Sequence, residues 1–233
     1  MSLPTAADET GWDALCDDES ALAAGVGALL AHHGLARAPR TRYDSGSLPV
    51  YAVGDSHVLK LFPPTEHEHA AVEARVLAAV QGALPIPTPA LIAADTHDGW
   101  PYLLMSQLKG RRLLDAWPTL SPAQRDRIAD TLGETIAALH ALDTTALADL
   151  PPRWDTFIAA QAASAVERQS KRKLDAYWLE RVPEFLLRWM PPPAPRRVLL
   201  HTEIMREHLI VDHAGVALTG LSDFEPAMLG AAQ

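Results

Sequence analysis

Hydrophobic positions along this chain follow a helical rhythm, then a strand rhythm, then a mainly helical one again. Met1 to Thr10 is polar and reads as a frayed end. The run Leu22-Ala-Ala-Gly-Val-Gly-Ala-Leu-Leu30, closed by Gly34, predicts a helix over about Gly11 to His33. Short stretches at 41–43, 49–53 and 58–62 are β-branched or aromatic in part. With Ser45-Gly46-Ser47 and Gly54-Asp-Ser-His57 between them, they read as strands joined by turns. A helical period returns from about Thr65 to Gln81. There Glu73 shares a stripe with Val76, Leu77 and Val80, so it borders the buried face. Past the Pro-rich stretch Leu84-Pro-Ile-Pro-Thr-Pro89, two strands are expected at 90–94 and 102–105, around the turn His97-Asp-Gly99.

Later in the chain, Ser121 as N-cap and Pro122 in the first turn open a helix with Ile128, Leu132, Ile136 and Leu139 on one face. His140 at its end reads as a partly buried structural histidine. Two amphipathic helices follow, about Trp154 to Gln169 and Leu174 to Met190, with Pro183 starting a new turn or kinking the second. Trp154, Phe157, Tyr177, Trp178, Phe185 and Trp189 fall mostly at core spacings and are expected to pack inside. Pro191-Pro-Pro-Ala-Pro195 reads as a stiff connector. Strands at 198–201, 208–211 and 216–221 then form a hairpin-like segment, closed by the turn Asp212-His-Ala-Gly215.

Composition narrows the class. With 233 residues, 48% of them hydrophobic, the chain can bury a core for one large domain or two small lobes. A formal net charge of −9 argues against a general nucleic-acid binder, which must neutralise phosphates with Lys and Arg. The same charge suits cationic partners, and equally suits plain solubility. One cysteine, Cys16, excludes an internal disulfide. No apolar run is long enough to span a bilayer and no secretion signal is present, so no membrane partner is expected and a cytoplasmic location is the default.

Two places carry chemistry. In Val58-Leu-Lys-Leu-Phe62, Lys60 sits mid-strand among alternating apolar residues, which costs free energy unless its ammonium finds an anion. The structural alternative is a lysine that snorkels from an edge strand beside a solvated glutamate. Glu203 and Asp223 lie in the loops of the hairpin-like segment, where two carboxylates held side by side could serve a hydroxyl and a metal. Either acid alone also fits a solvated loop.

The segment Val198-Leu-Leu-His-Thr-Glu-Ile-Met-Arg-Glu-His-Leu-Ile-Val-Asp212, followed by Leu218-Thr-Gly-Leu-Ser-Asp-Phe-Glu225, resembles the catalytic loop and metal-binding Asp of the aminoglycoside phosphotransferase and choline kinase-like superfamily. That pattern reads H-G-D-x-x-x-x-N, strand, turn, strand, D-[FW]. His201 and Asp223 match in register. Thr202 stands where the pattern has Gly, Glu203 where it has the catalytic Asp, and His208 where it has the metal-binding Asn. Leu59-Lys-Leu-Phe62, Trp100-Pro-Tyr102 and Asp223-Phe-Glu-Pro-Ala227 look most like the aminoglycoside and hygromycin-type enzymes. The resemblance runs from about Arg40 to the end.

It implies an α+β, bilobal, protein-kinase-like fold. Residues 1–105 would form an N-terminal lobe, an antiparallel sheet with a helix. Residues 106–233 would form a mainly helical C-terminal lobe carrying the catalytic hairpin, incomplete because ten residues follow Asp223 where the family continues with several helices. The implied activity is transfer of a phosphoryl group from ATP, or GTP, to a hydroxyl of a small, cationic molecule such as an aminoglycoside antibiotic, a reaction that asks for positioning and charge stabilisation.

In that scheme Ser45, Gly46 and Ser47 lie over the phosphates, and Lys60 paired with Glu73 holds them. Backbone groups near Ser106 and Leu108 bond the base. Glu203 orients or deprotonates the hydroxyl while His201 supports the loop, and Asp223 with His208 holds Mg²⁺ or Mn²⁺. Asp155 and Glu180 are candidates to meet acceptor amines, and the apolar face of 174–190 leads to the expectation of either self-association or weak acceptor affinity. The competing readings are a degenerate nucleotide- or ligand-binding module and a scaffold without a nucleotide site.

Overall fold

In the computed structural model, which describes residues 2–190 and 196–232, two aspartates decide the first helices. Asp8 accepts the Gly11 N–H at 2.8 Å and Asp18 accepts the Ala21 N–H at 3.0 Å. They cap α1 (Glu9–Asp17) and α2 (Glu19–His32). The one helix expected over 11–33 is therefore two, because Asp18 ends the first and starts the second. The expected frayed end is also corrected: Leu3 is buried in the core, and the Pro4 carbonyl accepts the Trp100 indole N–H at 2.8 Å.

Five antiparallel strands follow in the order β1-β2-β3-β5-β4: β1 (Arg40–Arg42), β2 (Val50–Val53), β3 (His57–Leu61), β4 (Leu91–His97) and β5 (Trp100–Ser106). Side chains alternate across this sheet. Leu59, Leu61, Tyr51, Val53 and Trp100 pack with Leu22, Val26 and Leu29 of α2. The other face, with Val50, Val58 and Leu103, packs on Val72, Val76 and Leu77 of α3 (His67–Val80). Lys60 belongs to that second face. A one-residue slip of β3 would turn its ammonium into the apolar α2 core, away from any anion.

The rest is mainly helical. After β6 (Arg111–Arg112) come α4 (Leu113–Ala116) and α5 (Pro122–Ala141), which opens with a complete capping box between Ser121 and Gln124. Then come α6 (Trp154–Lys171), α7 (Ala176–Leu179) and α8 (Val182–Trp189), with Pro183 in the first turn of α8. The helix expected over 174–190 is thus broken at its proline. The packing expected of its aromatic residues is overturned as well: Tyr177, Trp178, Phe185 and Trp189 are 54–63% exposed, while Trp154 is buried. Their spacing places them on a helix surface but says nothing of what covers it. The connector expected at Pro191 to Pro195 lies outside the described residues.

Strands β7 (Val198–Leu200), β8 (Leu209–Val211), β9 (Leu218–Leu221) and β10 (Met228–Gly230) hold the C-terminal loops. As expected, β8 and β9 form a hairpin, which β6 extends. β7 is not part of it; it pairs with β10, Met228 opposite Leu200. Strands β6 and β10 were absent from the sequence reading because two or three residues are too few to show a period.

Candidate active site

A cavity of about 560 Å³ opens between the inner face of the five-stranded sheet and the loops around β8 and β9. From the sheet side it takes Ser45, Gly46, Ser47, Lys60, Ser106 and Leu108, and from α3 it takes Glu73. Glu203, His208 and Asp223 close it from the other side. Every residue singled out for nucleotide, metal or proton transfer lines this cavity except His201, which is buried.

Lys60 is the centre of the charge arrangement. Its Nζ lies 2.8 Å from Glu73 Oε2, 2.7 Å from Asp223 Oδ1 and 2.5 Å from Glu225 Oε2. Both Lys60 and Glu73 are nearly inaccessible to water. Burial alone would lower the ammonium's affinity for its proton, but the pull of Glu73, Asp223 and Glu225 overcomes it and raises the pKa well above the ordinary lysine value. Lys60 is therefore always charged. Burial pushes the Glu73 carboxyl up, against the lowering by Lys60. Its second oxygen accepts the Phe224 backbone N–H at 3.2 Å. The pairing of Lys60 with Glu73 is thus present, and Glu225 joins it. Sequence reading missed Glu225, although its signal was visible two residues after Asp223.

The loop after β7 shows why its resemblance pattern has glycine at the second position. Thr202 has φ +63°, a left-handed conformation that a β-branched residue resists. Its Oγ1 donates to the Pro226 carbonyl at 2.8 Å, which offsets part of that strain. His201 packs on the Phe224 ring at 4.6 Å, and its Nε2–H donates to the Ser222 carbonyl at 2.9 Å. Burial holds its pKa below the ordinary histidine value, so it is neutral at pH 7. This contact ties the strand end to the loop that carries Asp223.

His208 is held through Nδ1, 2.8 Å from the Glu203 carbonyl oxygen. A carbonyl only accepts, so Nδ1 carries the proton. The other nitrogen, Nε2, faces Asp223 Oδ2 at 3.1 Å. Either the ring bears a second proton there, or a lone pair faces a carboxylate across a gap that a cation would bridge. The Glu203 carboxylate stands in the same cluster, with the three donor atoms within 4.8 Å of one another. Two cis ligands at about 2.1 Å on an octahedral ion stand roughly 3 Å apart, so the donor set fits a divalent metal. Asp223 is held below the ordinary aspartate pKa: burial opposes its charge, but Lys60 and His208 prevail.

At the strand end where base contacts were expected, the Ser106 N–H is already bonded to the Ala90 carbonyl at 2.9 Å, and its Oγ accepts the Ala90 N–H. The Gln107 N–H goes to the Ser56 carbonyl at 2.9 Å. Among the described residues the Leu108 N–H has no backbone partner. Of the backbone groups expected near Ser106 and Leu108, the Ser106 N–H is thus taken up within the sheet, and the Leu108 N–H is open. Arg112, which carried no sequence signal, reaches over the cavity to Ser45 Oγ at 3.0 Å. Asp155 and Glu180 do not line the cavity; Asp155 pairs with Arg197 at 2.5 Å.

Comparison with known proteins bears on the fold and the family. The search of curated proteins finds no match. Among solved structures, the chain is similar to APH(2")-IIIa in its complex with GDP and kanamycin, with TM-score 0.67 and 19% identity over 82% of this chain and 68% of that one. It is similar to a candidate aminoglycoside phosphotransferase from Ralstonia eutropha JMP134, with TM-score 0.68 and 21% identity over 88% of this chain and 65% of that one. Macrolide 2'-phosphotransferase MphH from Brachybacterium faecium gives TM-score 0.64 and 22% identity over 88% and 72%. The chain therefore spans about two thirds of the length of these structures. At such identities the likeness concerns the fold, α+β and kinase-like, with an antiparallel-sheet lobe and a helical part. A profile of the phosphotransferase enzyme family matches residues 40–233, most of the sequence. This chain is a member of the phosphotransferase enzyme family.

Proposed function

We propose that this chain binds ATP or GTP in the cavity and transfers the terminal phosphoryl group to a hydroxyl of a small cationic molecule, an aminoglycoside being the leading class. The observation that carries the reading is the convergence of Lys60, Glu203, His208 and Asp223 on one cavity from three separate parts of the chain. The lobes are divided at 105/106, the end of β5, where the Leu108 N–H stands ready for a base edge. Lys60, kept charged by its carboxylates, takes the inner phosphates. The Ser45-Gly46-Ser47 turn covers them.

Glu203 accepts the proton of the acceptor hydroxyl as its oxygen bonds to the terminal phosphorus. The bond from that phosphorus to the bridging oxygen breaks, and the nucleoside diphosphate leaves. Asp223 and His208 would hold a divalent ion, which would supply charge stabilisation to the phosphates. Glu203, Glu207, Asp223 and Glu225 give the cavity an acidic lining that suits a cationic acceptor. The aminoglycoside relative holds kanamycin and GDP, which supports the same reading. Self-association is assigned to the exposed aromatic face of α7 and α8.

The direct test is diphosphate release from ATP and GTP with kanamycin, a macrolide and choline as acceptors. Acceptor-dependent release is expected with at least the aminoglycoside. Nucleotide binding without release from any of them selects the degenerate binding module, and no thermal shift with ATP and Mg²⁺ selects the scaffold.

The metal can be tested separately. Because a neutral imidazole suits Mn²⁺ better than Mg²⁺, Mn²⁺ is expected to bind and support turnover at lower concentration, with His208→Asn reversing the preference. Titration by electron paramagnetic resonance reads the binding directly. An unchanged Mg²⁺ to Mn²⁺ ratio in the variant rules out ligation by His208.

A further inference from the structure

We infer that Glu225 is a displaceable gate on Lys60, occupying the place of a nucleotide phosphate on the ammonium until the phosphate drives it off. The inference rests on the nucleotide-binding reading and adds the residue that sets its affinity. An ammonium has three N–H donors and no more. Glu73, Asp223 and Glu225 lie 2.5–2.8 Å from Nζ and crowd the one ammonium between them. A phosphate oxygen can reach Lys60 only by replacing one of them.

The three are not held equally. Glu73 is 2% exposed, and its second oxygen is anchored by the Phe224 N–H. Asp223 accepts a well-formed hydrogen bond from Lys60 and faces His208 on its other side. Glu225, like Glu73 Oε2, meets Lys60 as an ion pair without a well-formed hydrogen bond, but among the described residues no hydrogen bond anchors its carboxylate elsewhere, and its side chain borders the cavity. It is the carboxylate with least to lose. It also has a place to go: His69, at the start of α3, is largely exposed and has a ring nitrogen within 4.8 Å of the Glu225 carboxylate, with Glu66 beside it.

Charge points the same way. Three carboxylates around one ammonium leave a net charge of about −2, which repels a triphosphate. A gate of this kind keeps Lys60 and Glu73 assembled without ligand, and costs nucleotide affinity in return.

Isothermal titration of metal-free ATP, in EDTA, with wild type and Glu225→Gln tests the gate, with adenosine as the control ligand. Glu225→Gln is expected to tighten ATP about tenfold and leave adenosine unchanged, because adenosine brings no phosphate to compete for Lys60. Glu225→Asp, which keeps the charge on a shorter arm, is expected to fall between the two and serves if the glutamine variant does not fold. Equal or weaker ATP binding in the variants, or an equal change for adenosine, overturns the gate while leaving the nucleotide reading intact. Wild type that binds neither ligand overturns both, so the two failures are told apart.

Discussion

Lys60→Ala is expected to cost about 3–5 kcal/mol of folding stability and to remove the advantage of ATP over adenosine as a ligand. The first effect follows from burial. Removing the ammonium leaves Glu73, 2% exposed, beside Asp223 and Glu225 with no cation among them. An uncompensated buried charge is far more costly than a missing surface pair. The second effect follows from the loss of a point charge in a site sheltered from water. Urea unfolding measures the first, and thermal shifts with ATP and with adenosine measure the second.

The double variant Lys60→Met with Glu73→Leu separates the two, since well-packed apolar residues can replace a buried ion pair at little cost. It is expected to recover most of the stability and none of the preference for ATP. Stability within about 1 kcal/mol of wild type in Lys60→Ala, with the ATP preference kept, would show that Lys60 is neither buried among its partners nor in contact with phosphate.

Glu203→Gln is expected to lower turnover by about 10²–10⁴-fold while nucleotide binding persists, the usual contribution of a positioned proton acceptor. Glu203 has one methylene more than the aspartate that the resemblance pattern places there, and a misplacement of roughly 1 Å can cost about 10²-fold. The Glu203 carbonyl is fastened to His208 Nδ1, and its carboxylate stands in the cluster of His208 and Asp223. The two departures from the pattern thus stand in one cluster. Glu203→Asp is expected to lose rate rather than gain it, because His208 is set for the glutamate. A rate gain on Glu203→Asp would mark a degenerate site, and a wild-type rate in Glu203→Gln would remove Glu203 from the proton transfer altogether.

By itself the sequence determined the features that depend on local period and local chemistry. Alternation along β3 placed Lys60 on the face opposite Leu59 and Leu61. The helical stripe through Val76 and Val80 turned Glu73 towards it, and Ser121 with Pro122 located the start of α5. The hairpin of β8 and β9 was legible from its turn, and Asp223 from the motif that follows it. The break at Asp18 was written in a capping residue but masked by an apolar run.

Tertiary structure decided everything that joins distant segments. It paired β7 with β10 rather than with the hairpin, and it spent the Ser106 N–H on Ala90. It left Tyr177, Trp178, Phe185 and Trp189 exposed where spacing suggested a core. It also brought Glu225 onto Lys60 as a third carboxylate. A period along the chain reports which side chains share a face, because the backbone repeats. What that face meets depends on residues as far away as the 163 positions between Lys60 and Asp223, and only folding brings those together.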